Sequence, residues 1–187
     1  MASIFAESSA TNLTSNFYLQ NFYKYNRNAY KASTRNDFTE TELSYEDSRA
    51  LRRAAKELAN FEYTEDENGA NIVSTIEAFV ETYNNTLSTS DSKDYDAYRY
   101  NKQLQKLTKE FEDELEDIGI TIKKDGSLKI SENILKAASF KEVKKVFSKE
   151  SDYSKGLQTI SKRINSISYD EIYTQLTGNG GKLNIVL

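Results

Sequence analysis

The chain has 187 residues and a net charge of −4, and it contains no histidine, no cysteine and no proline. These absences exclude disulfides, thiolate metal sites, thiol catalysis and the commonest general base, while interspersed charges of both signs argue against a nucleic-acid partner. Leu, Ile, Val and Phe make up only roughly a fifth of the residues, so thirteen Tyr and nine Phe must supply much of a thin core.

Residues 1–16 are rich in Ser, Thr, Ala and Asn and read as a loose N-terminal arm. They contain neither a basic region nor an apolar run of signal-peptide type, and no window of the sequence is long and apolar enough for membrane insertion. Any export would therefore not use the general secretory route. From Phe17 the sequence turns aromatic: Tyr18, Phe22, Tyr25 and Ala29 share one helical face, with Phe17 and Tyr30 at its edges. This stripe is either a partner-binding surface or packing for the chain's own bundle, since an isolated amphipathic helix needs such a contact.

Ser33 to Thr41 is polar and reads as a linker. A helix is expected from Ser44-Tyr-Glu-Asp47, with Leu51, Ala54, Ala55, Leu58 and Phe61 as an Ala-rich face suited to close packing. Arg49, Arg52 and Arg53 form the densest basic group. They would bind an anion only by converging in a pocket, and the nearby Glu46, Asp47 and Glu57 point instead to a solvated face. Thr64 to Gly69 resembles a calcium loop but lacks the bidentate carboxylate at its twelfth position, Thr75, so it reads as an acidic turn. Ile72, Ile76, Phe79, Val80, Tyr83 and Leu87 then mark a helix, followed by a connection over Thr86 to Ser92.

The next helix is expected from about Asp94, carrying Leu104, Leu107, Phe111, Leu115 and Ile118 on one stripe and ending at Gly119. The period then changes to two. Ile120 and Ile122 flank one side of a tight Asp125-Gly126 turn, and Leu128 and Ile130 the other, which predicts a β-hairpin. Ser131 is placed to cap a helix with Ile134, Leu135 and Ala138, and Ser139-Phe-Lys-Glu142 is a capping box for another with Val143, Val146 and Phe147. Finally Tyr153, Leu157, Ile160, Ile164 and Ile167 form a seam for packing against another helix, prolonged by Ile172 and Leu176 after a break near Ser168. Gly178-Asn-Gly-Gly181 stops it and lacks the Lys-Ser/Thr of a phosphate loop; Leu183 to Leu187 is an edge strand or tail.

The expected fold is mainly α: an elongated bundle of antiparallel, coiled-coil-like helices with one small β-hairpin at about residues 120–130. It divides into the arm at 1–16, aromatic N-terminal helices at 17–70, a helical bundle with the hairpin at 71–177 and a C-terminal tail at 178–187. Carboxylates are the remaining acid/base candidates, and Glu110, Asp113, Glu114 and Asp117 cluster opposite Leu107 and Phe111, where a solvated helix shows charge anyway. The reading is not an enzyme, with no catalytic, cofactor or metal site. The candidate interaction surface is Tyr18, Phe22 and Tyr25 together with Leu157, Ile160 and Ile164.

Ile118-Gly-Ile-Thr-Ile-Lys-Lys-Asp-Gly-Ser-Leu-Lys-Ile130, followed by Leu135-Lys-Ala-Ala138, Val143-Lys-Lys-Val-Phe147 and Gly156-Leu157, resembles the C-terminal region of the flagellar hook-associated protein 2 family, the filament cap. Ile76-Glu-Ala-Phe-Val-Glu-Thr-Tyr-Asn84 is similar to the helix where that family carries a Phe-Val-x-x-Tyr-Asn run. The resemblance covers about Ile72 to Ile167. It implies a structural assembly protein exported by the signal-less flagellar route to the extracellular flagellum, self-associating as a homo-oligomer and partnered by flagellin or hook components. Outside that resemblance the chain reads as cytoplasmic, and the alternative function is a soluble adaptor or chaperone-like module using the N-terminal aromatic stripe. Family members are usually longer, with variable outer domains between two terminal coiled-coil segments, whereas this chain ends soon after Leu176 without a long last helix.

Overall fold

A computed structural model describes residues 13–63, 69–90 and 96–179. The arm up to residue 12, the acidic turn at 64–68, the helix start near Asp94 and the tail from Gly180 lie outside the described residues. Among the described residues the fold is mainly helical with one two-stranded antiparallel sheet, as the sequence predicts. The elements are α1 (Ser15–Phe22), α2 (Glu40–Ala59), α3 (Gly69–Thr89), α4 (Tyr98–Glu110), α5 (Glu112–Asp117), β1 (Ile120–Ile122), β2 (Leu128–Ile130), α6 (Glu132–Ala137), α7 (Phe140–Phe147) and α8 (Asp152–Asn179). No helix among the described residues is long and apolar enough to cross a membrane.

The long helices pair antiparallel. Tyr45 and Ser44 of α2 meet Asn165 and Ser168 of α8, while Arg52 and Lys56 lie beside Gln158 and Thr159, about two to three turns back along α8. Where α2 and α8 meet at Ser44 and Ser168, both side chains are small and buried, which lets the two backbones approach closely. On the other side of α8, Ala97 packs near Ile164 and Thr108 of α4 lies 3.4 Å from the Tyr153 hydroxyl, again antiparallel. One hydrophobic cluster takes residues from every element, from Tyr18 of α1 through Leu51, Phe79, Leu115, Leu128 and Phe147 to Leu157 of α8. Aromatic rings fill its centre, with Phe79, Phe147 and Tyr153 in successive contact at 5.2 and 6.1 Å.

The hairpin follows its sequence pattern. Gly119 ends α5 with φ +82°, donates its N–H to the Glu116 carbonyl and accepts from Ser131 N–H, closing the strand pair at its base. Ile120, Thr121 and Ile122 face Ile130, Lys129 and Leu128 in register, with Ile120 and Leu128 buried and Thr121 and Lys129 exposed. At Leu128 the peptide N–H and C=O point away from β1, and the Asn84 side chain on α3 meets both. Asn84 Oδ1 accepts from Leu128 N–H at 2.8 Å, and its Nδ2 donates to Leu128 O at 3.0 Å. A side-chain amide thus replaces a third strand.

Five boundaries differ from the sequence reading. The aromatic helix stops at Phe22, not near Tyr30; Tyr23 swings inward, fully buried, to donate to Asp47. α2 starts at Glu40, inside the expected linker, because Thr39 and Glu42 form a reciprocal capping box: Thr39 Oγ1 accepts from Glu42 N–H at 3.2 Å and Glu42 Oε2 from Thr39 N–H at 2.8 Å. α3 runs on to Thr89, through most of the expected connection. The stripe from Leu104 to Ile118 is broken at Phe111, whose ring sits against Tyr153 at 5.3 Å. There is no break at Ser168, where the hydroxyl bonds the Ile164 carbonyl within a continuous α8 that still includes Gly178 and Asn179, so the chain does carry a long last helix, of 28 residues, which the sequence reading denied it.

Candidate functional site

Thr14 caps α1 by accepting from Phe17 N–H, and the helix lays its aromatic face on the bundle. Tyr18 and Phe22 are buried, so neither is part of a free stripe, whereas Tyr25 remains 45% and Phe17 42% exposed. The chain leaves the helix after Phe22, so Tyr25 does not continue the buried face of Tyr18 and Phe22 and lies instead against Arg49 and Arg53 of α2. The C-terminal seam is likewise internal. Leu157 and Ile164 are fully buried and Ile160 half-buried between the two clusters, all against α2 and α4 of the same chain. Of the six predicted surface residues only Tyr25 is open to a partner, because a thin core consumes its aromatic and aliphatic stripes.

Where α1 meets α2, basic groups converge. Arg49, Arg52, Arg53 and Lys56 recur at helical spacing on one face of α2, and with Lys24 they line a cleft of ≈ 630 Å³ floored by Tyr18 and Phe22. The three arginines are therefore not simply a solvated helix face. Arg49 and Arg53 stack on the Tyr25 ring, with guanidinium carbons 4.1 and 4.5 Å from its centre, and Arg53 also donates to the Phe22 carbonyl. Burial and the neighbouring Arg49 charge lower the Arg53 pKa to about 10. Across the ridge of Arg52 and Lys56 a second cleft of ≈ 590 Å³ opens towards Lys162 and Arg163 of α8.

Behind the cleft lies a buried polar anchor that periodicity did not reveal. Asp47, fully buried in α2, receives a two-pronged contact from Arg35 at 3.0 and 2.5 Å, the Tyr23 hydroxyl at 2.7 Å and the Thr89 hydroxyl at 3.0 Å. Asn85 donates in turn to Tyr23. Burial, then the Asp47 charge, pushes the Tyr23 hydroxyl well above its usual range, which keeps it a neutral donor. Next to it Glu46 is buried, with Arg49 Nη1 3.9 Å away and the Asn26 side chain beside its carboxylate. Burial raises Glu46 to about 7 against the opposing charges of Arg49 and Arg53.

The four carboxylates considered for acid/base chemistry do not share a cleft. Glu110, Asp113 and Asp117 are exposed, and Glu110 and Glu114 pair with Lys106 and Lys145 at 3.9 and 3.3 Å. Among the described residues no group of three or more carboxylates is placed to hold a metal ion. The chain matches no family model, no curated protein and no solved structure.

Proposed function

We propose that the chain is a non-enzymatic structural and assembly protein of flagellar filament-cap type, acting through helix–helix association, exported by the signal-less flagellar route and partnered by flagellin or hook components. The observation that carries this reading is the Asn84 clamp on Leu128. The two stretches that resemble the cap family, Ile76–Asn84 and Ile118–Ile130, are far apart in sequence, yet the last residue of the first grips the second strand of the other. A Phe-Val-x-x-Tyr-Asn run ahead of an Asp-Gly hairpin thereby acquires a physical reason: Phe79, Val80 and Tyr83 are buried, and Asn84 supplies the hydrogen bonds. The total absence of histidine and cysteine fits a protein that works by contact.

Light scattering and crosslinking of the purified chain, alone and with flagellin or hook components, test this. A defined homo-oligomer or a stable complex is expected. A strict monomer that binds neither overturns it. The adaptor alternative rests on exposed Tyr25 and Phe17, and capture of a partner that is lost on Tyr25→Ala, with self-association unchanged, favours it.

A further inference from the structure

Lys24, Arg49, Arg52, Arg53 and Lys56 line the first cleft, and Arg52 and Lys56 continue into the second with Lys162 and Arg163. Among the described residues, Glu57 is the one acidic residue in either lining. The seven cations and Glu57 sum to +6, which leaves −10 on the rest of a chain whose net charge is −4. Local concentration of positive charge on an acidic protein selects for a small anion. A polyanion extending more than about 10 Å beyond the patch meets repulsion.

We propose that the two joined clefts bind a compact oligophosphate, a small molecule with at least two phosphate groups that straddle the ridge of Arg52 and Lys56. Each cleft has the volume of a small-molecule site, ≈ 630 and ≈ 590 Å³. Four of the seven cations are arginines, whose planar forks meet phosphate oxygens two at a time. Tyr25 holds Arg49 and Arg53 in place before any ligand arrives, so little side-chain freedom remains to be lost on binding. Crowding also leaves the empty cluster in mutual repulsion: desolvation first, then Arg49 and Arg52, weaken the proton affinity of Arg53. A multivalent anion relieves that repulsion. This inference goes beyond the assembly reading and does not depend on it.

Isothermal titration of the full chain with tripolyphosphate at moderate salt is the test, with a short single-stranded DNA and a hexaglutamate peptide as parallel arms. Saturable binding of tripolyphosphate, weakened about tenfold or more in Arg52→Ala/Lys56→Ala, is expected. Both residues are exposed, so circular dichroism of that variant should match the parent. Lys144→Ala/Lys145→Ala, on a separate basic depression, should leave affinity unchanged. Absence of binding, equal loss in the two double variants, or tighter binding of the DNA or the peptide than of tripolyphosphate overturns the proposal.

Discussion

Asn84 is a single side chain with a strand's function. Replacing it by Ala leaves the N–H and C=O of Leu128 unpaired in a partly buried position, which costs about 1–3 kcal/mol. Asn84→Ala should therefore lower the urea midpoint and release the Leu128 amide to fast hydrogen exchange. An unchanged midpoint would mean that water serves the edge as well as the amide does. Glu46 makes the opposite contribution. Burial raises its folded-state pKa to about 7, so the native state holds its proton more tightly than the unfolded chain does. That stability is present below the ordinary carboxylate pKa and is lost as pH rises through about 7. Arg49, Arg53 and Asp47 face the same group and set the position of the transition. Glu46→Gln mimics the protonated form. It should match the parent at pH 4 and exceed it by on the order of 1–3 kcal/mol at pH 8 in denaturant titrations.

At the scale of elements, the hairpin depends on Gly119. A Cβ there would lie 2.8 Å from Leu135 N and 2.9 Å from Ser131 O, on a backbone at φ +82° that side chains resist. Gly119→Ala is expected to cost at least about 2 kcal/mol, read as a fall in thermal midpoint. Gly178→Ala, where nothing lies within 4 Å, should cost nothing measurable. The hairpin, the Ser139 capping box and the apolar faces of α3 and α7 were legible because their signals are local: a change of period, an Asp-Gly turn, a Ser-x-x-Glu spacing. Boundaries set by distant partners were not. Tyr23 leaves the helical course for Asp47, Phe111 turns onto Tyr153, and Ser168 stays helical beside Ser44. The Thr39 capping box was readable in the sequence; the polar run around it and the later Ser44-x-x-Asp47 drew the helix start four residues downstream.

For the whole molecule, periodicity marked which faces are apolar but not whether a face is covered by the chain's own elements or left for others. A stripe such as Tyr18/Phe22 or Leu157/Ile164 looks alike in either case; the composition, short of aliphatic residues, decides that this chain uses them itself. The basic cleft was half legible. Arg49, Arg52 and Arg53 stood out, yet Lys24, Lys162 and Arg163 join them only through the packing of α1 and α8 on α2. That packing also governs how the molecule comes into being. α2 meets α8 through Tyr45 with Asn165 and Ser44 with Ser168, across 120 and 124 positions of sequence. Closing so large a loop comes late, and topology of this kind slows folding. A polypeptide leaving the ribosome, or threaded through a narrow conduit amino end first, carries the α8-facing side of α2 uncovered until α8 has followed it out.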